Sequence, residues 1–159
     1  MIRASSAEQR AVTNTIPGNL VLYLHSGSGE WLPCLSVKAS NEGVSLLALS
    51  FGDDRTPFLL REIDEHQCLQ LGKAEARFTF PNLSGARPGP LALGSKGAAI
   101  AGRTGGTGGP LIERWWVIAT GEPTPNEPGA FRPAAWEIGI YTGADFEQVL
   151  RFPLLPSSK

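Results

Sequence analysis

Apolar residues in this chain come in short runs separated by turn-forming residues. "LVLYLHS" (20–26) is followed by "GSGE", "WLPCLSV" (31–37) by "KASNEG", and "VSLLALSF" (44–51) by "GDDRTP". Runs rich in Val, Leu and aromatic residues, punctuated roughly every 8–12 positions, predict the strands of a sandwich or closed barrel rather than alternating βαβ units. Pro33 lacks a backbone N–H, which assigns the second run to an edge or bulged position.

Further along, "EARFTFPN" (75–82) alternates, with Ala76, Phe78 and Phe80 opposite Arg77 and Thr79. "LALGSKGAAIAG" (91–102) has a hairpin-like centre at "GSKG". "LIERWWVIAT" (111–120) is apolar without a break through Trp115, Trp116, Val117 and Ile118, the pattern of a strand covered on both faces. "AAWEIGIYTG" (134–143) places Trp136, Ile138 and Ile140 on one face, expected to look into the core.

Three segments read less simply. "TPFLLREIDEHQCLQLGK" (56–73) has a helix-like start and stop, but its apolar positions form no single helical stripe. Two strands, 58–63 and 67–71, fit it better. "ADFEQVLRFP" (144–153) suits a helix or a strand. The beginning carries a capping-box pattern, Ser5 with Glu8, and is expected to form a weakly ordered arm or one or two helical turns.

Together these patterns predict an all-β domain over residues 19–156, preceded by an arm over 1–18. The architecture is an antiparallel β-sandwich or closed barrel-like fold, with a β-trefoil allowed by strand count and at most one or two short helices. A length of 159 residues suits one domain with a real core.

Composition narrows the function. The chain has 19 Gly and 13 Pro, and a net charge of −1 with the signs mixed. That is not the footprint of a nucleic-acid binder. No window has the apolar length of a membrane span, and no apolar leader opens the chain, so a cytoplasmic protein without a membrane partner is expected. Cys34 and Cys68 lie in apolar runs without metal-ligand spacing and are expected to be buried free thiols.

Candidate chemistry is sparse. "AGRTGGTGGP" (101–110) has five glycines in ten positions, but no Lys and no following helix, so it is no phosphate loop. It reads as a mobile interstrand loop or a flexible recognition loop. His66 and Cys68 share a face if extended, but nothing else recommends them as a catalytic pair, and one buried thiol with one surface His is expected. Asp53, Asp54 and the acidic "EIDEH" (62–66) lack a calcium or zinc pattern and read as solvated turns. No metal, no cofactor and no enzymatic activity are expected.

The expected function is a non-catalytic recognition module that presents Gly- and Pro-rich loops to a protein or glycan partner. The loops are 103–110 and the proline-rich 121–133, with 25–31 beside them. Candidate binding residues are Trp31, Arg103, Gly106, Thr107, Gly108, Trp115, Arg132 and Trp136. One of Trp115 and Trp116 can face outward, where an indole beside Arg114 or Glu113 would stack on a sugar or anchor a protein. An accessory subunit of a larger assembly is an alternative, and a homo-oligomer is compatible with the composition.

"GTGG" (106–109) and "RP" (132–133) together resemble the Gly-x-Gly-Gly and Arg-Pro-aromatic loops of the chagasin-type cysteine protease inhibitors, which are β-sandwiches. The resemblance implies that these loops join a third in plugging a papain-like cleft. That family's third loop, Asn-Pro-Thr-Thr-Gly, does not occur in the chain, and "HSGSGEW" (25–31) stands in its position.

Overall fold

The computed structural model describes residues 7–25, 27, 29–38, 43–51, 56–60, 67–78, 90–105, 112–124 and 135–152. The protein is all-β. Its strands are β1 (Glu8–Ala11), β2 (Asn19–Leu24), β3 (Trp31–Lys38), β4 (Val44–Phe51), β5 (Thr56–Leu59), β6 (Gln67–Lys73), β7 (Glu75–Phe78), β8 (Leu91–Gly94), β9 (Gly97–Thr104), β10 (Ile112–Val117), β11 (Pro123–Thr124), β12 (Trp136–Thr142) and β13 (Asp145–Phe152). Among the described residues the one helical element is a single 3-10 turn, Val12–Asn14.

Ten strands form one sheet in the order β1-β6-β2-β3-β4-β5-β9-β10-β11, with β8 added on β9. A second sheet has the order β13-β12-β7. Every pairing is antiparallel except that of β5 with β9, which meet in parallel at Phe58 and Arg103.

The larger sheet buries side chains on both faces, which is why its strands read as apolar runs rather than clean alternations. On one face Leu20, Leu35, Val37, Leu47, Leu49, Ile100 and Trp116 pack with Trp136, Ile138 and Ile140 of the second sheet. On the other face Val21, Tyr23, Cys34, Leu46, Ala48 and Cys68 pack with Val12 and Leu60. A smaller outer cluster joins Ala92, Ala99 and Ala101 to Trp115.

Several local expectations change. Within the expected arm Glu8–Ala11 is a strand paired with Gln67–Gln70, followed by the 3-10 turn with Val12 buried, while residues 1–6, with Ser5, lie outside the described residues. Burial of that apolar side chain outweighs the capping signal. β3 is an interior strand despite Pro33, because its ladder with β4 starts at Cys34 and the proline lies one residue beyond it. Pro33 faces only Leu22 of β2. The ambiguous segments resolve as strands: β5 and β6 within 56–73, and β13 at the end. Residues 61–66 between β5 and β6 lie outside the described residues.

A backbone junction ties distant parts of the large sheet together. Gly18 N–H donates to the Ser36 carbonyl at 2.8 Å, and Lys38 N–H to the Gly121 carbonyl at 2.8 Å. Gly121 has φ +69°, and a Cβ there would lie 2.7 Å from the Ser36 carbonyl oxygen. Only glycine meets both demands. The turn after β10 is thereby fastened to the end of β3.

Candidate functional site

The strands that bound the two loops singled out by composition belong to one three-stranded unit. β9 ends at Thr104, which faces Ile112 at the start of β10. β11 runs antiparallel to β10, with Pro123 opposite Trp116 and Thr124 opposite Trp115. β11 is therefore directed toward the Ile112 end, beside which β9 ends at Thr104. Gly106, Thr107, Gly108 and Arg132 lie outside the described residues, as do Asp53, Asp54 and His66.

The loop boundaries differ from the sequence reading. Arg103 belongs to β9, exposed, opposite Glu113 of β10 and Phe58 of β5. The proline-rich loop starts only after Thr124, since Glu122 O accepts from Val117 N–H at 2.8 Å and Pro123–Thr124 pairs with β10.

The tryptophans separate into core and surface. Trp115 is 5% exposed and Trp116 2%, on opposite faces of β10. Trp115 is thus no exposed stacking platform, because the sheet is covered on both sides here. Trp136 is 3% exposed and packs in the inter-sheet core. Trp31 alone among the four is exposed, at 50%. It faces Leu24, which is also exposed, across the β2–β3 hairpin. Three steps in the strand order separate β3 from β9, so Trp31 stands on a different part of the sheet from the loop ends.

A second feature was not legible as a site in the sequence. Where the proline-rich loop rejoins the second sheet, a cleft of about 270 Å³ is lined by Arg77, Phe78, Ala135, Trp136, Glu137 and Arg151. Its charged residues come from three strands in register: Glu137 of β12 faces Arg77 of β7 on one side and Arg151 of β13 on the other. Arg77 Nε lies 3.6 Å from Glu137 Oε1. The Arg77 guanidinium also sits 4.6 Å over the Phe146 ring, which meets Tyr141 edge-on at 5.3 Å.

The Phe146 position depends on Gly139. The β12–β13 register shifts at Ile138/Gly139, a β-bulge that bends the sheet. A Cβ on Gly139 would collide with the Glu147 carbonyl and come 2.8 Å from Phe146 Cζ. Glycine thus leaves room for the Phe146 ring over which Arg77 sits. The signal in the sequence was the outward alternation of Arg77 and Glu137. Their meeting with Arg151 needs the strand order, which no local pattern encodes.

The buried thiols offer no chemistry. Burial pushes the Cys34 thiol strongly upward, and that of Cys68 upward as well. β2 runs between their strands and Cys68 lies two residues further along than Cys34, so their backbones are more than about 9–10 Å apart, beyond the reach of a disulfide. Both are free. Among the described residues no three His, Cys, Asp or Glu side chains are placed to hold a metal ion, and no helix is long and apolar enough to cross a membrane. Comparison of the chain with protein-family models, with curated proteins and with solved structures gives no match.

Proposed function

We propose that the protein is a non-catalytic recognition module whose contact surface is formed by the glycine-rich and proline-rich loops. The observation that supports this reading is that β9 ends beside Ile112 and β11, paired with Trp115 and Trp116, is directed toward that same end. That end is a firm base: Trp115 and Trp116 are buried on opposite faces just behind it, while Ile112, Glu113 and Arg114 are exposed at its tip. Loops held by a rigid scaffold are where binding residues concentrate. Exposed apolar and mixed-charge residues beside glycine-rich backbone suit a protein partner, which can approach the main chain closely.

The test compares the intact chain with variants shortened within 106–109 and within 126–129. Partner capture from the host, identified by mass spectrometry, and binding to a glycan array are measured for each. The reading requires that the shortened variants keep the unfolding transition and lose the captured species. Capture that survives both deletions overturns it. Inhibition of papain is the further arm, because "GTGG" lies between β9 and β10 and "RP" lies in the loop that follows β11.

A further inference from the structure

The chain before β2 is bonded to the large sheet and also to itself. β1 lies along the edge of β6, and the 3-10 turn after it seats Val12 in the cluster that holds Cys34 and Cys68. Three side-chain bonds tie this segment to the sheet. Ile16 N–H donates to Gln70 Oε1 at 2.8 Å, and Cys68 Sγ donates to the Arg10 carbonyl at 3.4 Å. Thr15 Oγ1 lies 2.8 Å from Ser36 Oγ. The Thr15 hydroxyl gives its proton to the Val12 carbonyl at 2.7 Å, so Ser36 is the donor of that pair. Other bonds stay within the segment: Arg10 donates to the Glu8 carboxylate at 3.2 Å and to the Asn14 carbonyl at 3.1 Å.

Gly18 marks where the segment ends. Its N–H donates to the Ser36 carbonyl at 2.8 Å and its carbonyl accepts from Ala74 N–H at 2.9 Å. Its φ is +95°, and a Cβ there would collide with the Ala119 carbonyl. Within residues 7–16 only Val12 and Thr15 bury their side chains, so the segment supplies a small share of the apolar burial. We infer that residues 7–16 form a strap that opens from the large sheet as a unit, about Pro17, while the rest of the sheet stays folded. The Thr15–Ser36 and Ile16–Gln70 bonds are its latches. A segment with few buried apolar contacts opens at a lower free energy than the core. The bonds from Arg10 to Glu8 and Asn14 travel with it. Opening frees the β6 edge at 67–70 and takes Val12 and the Arg10 carbonyl away from Cys68. Cys34 keeps a paired strand on each side, β2 and β4. The strap is thus a gate over the Cys68 thiol.

Amide hydrogen exchange of the intact chain is the first test. Amides bonded across β1–β6 should exchange at least about tenfold faster than those of β3 and β4. Their rates should depend little on low urea, because the opening exposes little surface. Thr15→Val keeps the side-chain shape and removes the acceptor of Ser36. Gln70→Met removes the acceptor of Ile16 N–H. Each should speed exchange across β1–β6 by roughly five- to tenfold, the loss of about one net hydrogen bond. In the double variant Ellman's reagent should label Cys68 in the folded chain and spare Cys34, as mass spectrometry of the labelled peptides reads out. Near-ultraviolet circular dichroism checks that the fold is kept. Strap amides of the intact chain that share the rate and the urea dependence of β3 and β4 overturn the inference. So do equal labelling of the two thiols, a Cys68 left unlabelled, or loss of the whole fold in the double variant.

Discussion

Trp115 and Trp116 are neighbours in sequence and lie in two different cores. Trp116 packs with Leu47, Ile100 and the second sheet, and Trp115 packs on the far side with Ala92, Ala99 and Ala101. Successive side chains of a strand point to opposite faces, so burying both requires cover on both sides of β10. The pair therefore reports that β10 is sandwiched. It also makes the tip of β10 a stiff mount for the loops at its Ile112 end.

The first prediction concerns those indoles. Trp116→Ala should cost about 3–5 kcal/mol, the usual range for truncating a buried large aromatic. Trp115→Ala should fall toward the same range, because its ring is nearly as buried. Trp31→Ala, at an exposed site, should change stability by no more than about 0.5 kcal/mol. Urea melts of the three variants check the order. A neutral Trp115→Ala would place that indole outside the core.

Gly121→Ala should be destabilising by about 2 kcal/mol or more, since it combines a left-handed backbone with a blocked Cβ position. The alanine must either shift the Ser36 carbonyl or break the bond from Lys38 N–H to residue 121. Gly97 also has a positive φ, +100°, but a Cβ there meets nothing within 4 Å. Gly97→Ala should therefore cost less, from the backbone alone. Thermal melts of the two variants separate crowding from conformation, and equal losses would show that crowding at Gly121 is relieved.

The strands were legible because they are short apolar runs between turn residues, and the tandem tryptophans gave the two-faced burial of β10. Trp136, Ile138 and Ile140 were read correctly as one inward face, because period two survives in a sheet with one covered side. Two local signals misled for identifiable reasons. The capping pattern at Ser5 and Glu8 said helix, but Val12 gains more from the core than a short polar helix could offer. Pro33 said an edge or bulged strand, but a proline is tolerated inside a sheet when the neighbouring ladder stops one residue short. The Arg77–Glu137–Arg151 row was legible only as separate outward positions, because their meeting depends on which of the strands are neighbours.

The buried thiols give a pH prediction. The thiol of Cys34 has a folded value raised above its ordinary 9.0 by burial, with Cys68 nearby adding to the shift. The folded state then holds a proton that the unfolded state releases in alkali. Stability from this source is complete below about 9 and falls as pH rises above it. Urea midpoints from pH 7 to 10.5 should decline more steeply in the native chain than in Cys34→Ala. In the same vein, Ellman's reagent should leave both thiols unreacted at pH 8 until denaturant is added, because the thiolate is the nucleophile. Fast native-state labelling would contradict the burial of Cys34.

Arg103 supplies a proteolysis test. A glycine-rich loop starting at that residue would be cut early by trypsin. The structure pairs Arg103 with Glu113 on one side and Phe58 on the other, so the peptide bond after it is held in the sheet. Cleavage there requires opening β9 from β10, and it should track the stability of that unit. Mass spectrometry of a limited digest should show the Arg103 site intact after terminal fragments have been released. Early cleavage at Arg103 would mean that the end of β9 opens locally.

The last prediction separates rim from core around the proline-rich loop. Its two ends are fixed, at Thr124 against Trp115 and at Ala135 before the buried Trp136. Deleting 123–128 would remove Pro123 and Thr124 from their pairing with β10 and should destabilise the chain. Removing 126–129 leaves both anchors in place. Loop-closure entropy changes slowly with length, so this smaller deletion should cost under about 1 kcal/mol. Trp136→Ala, by contrast, should cost about 3–5 kcal/mol as a buried aromatic. It should also disturb the wall of the adjacent cleft. Urea melts of the three variants give the energies, and partner capture gives the functional consequence. The 126–129 deletion should lose the partner while keeping the fold. If that deletion unfolds the chain and Trp136→Ala does not, the loop is part of the core and the recognition reading loses its surface.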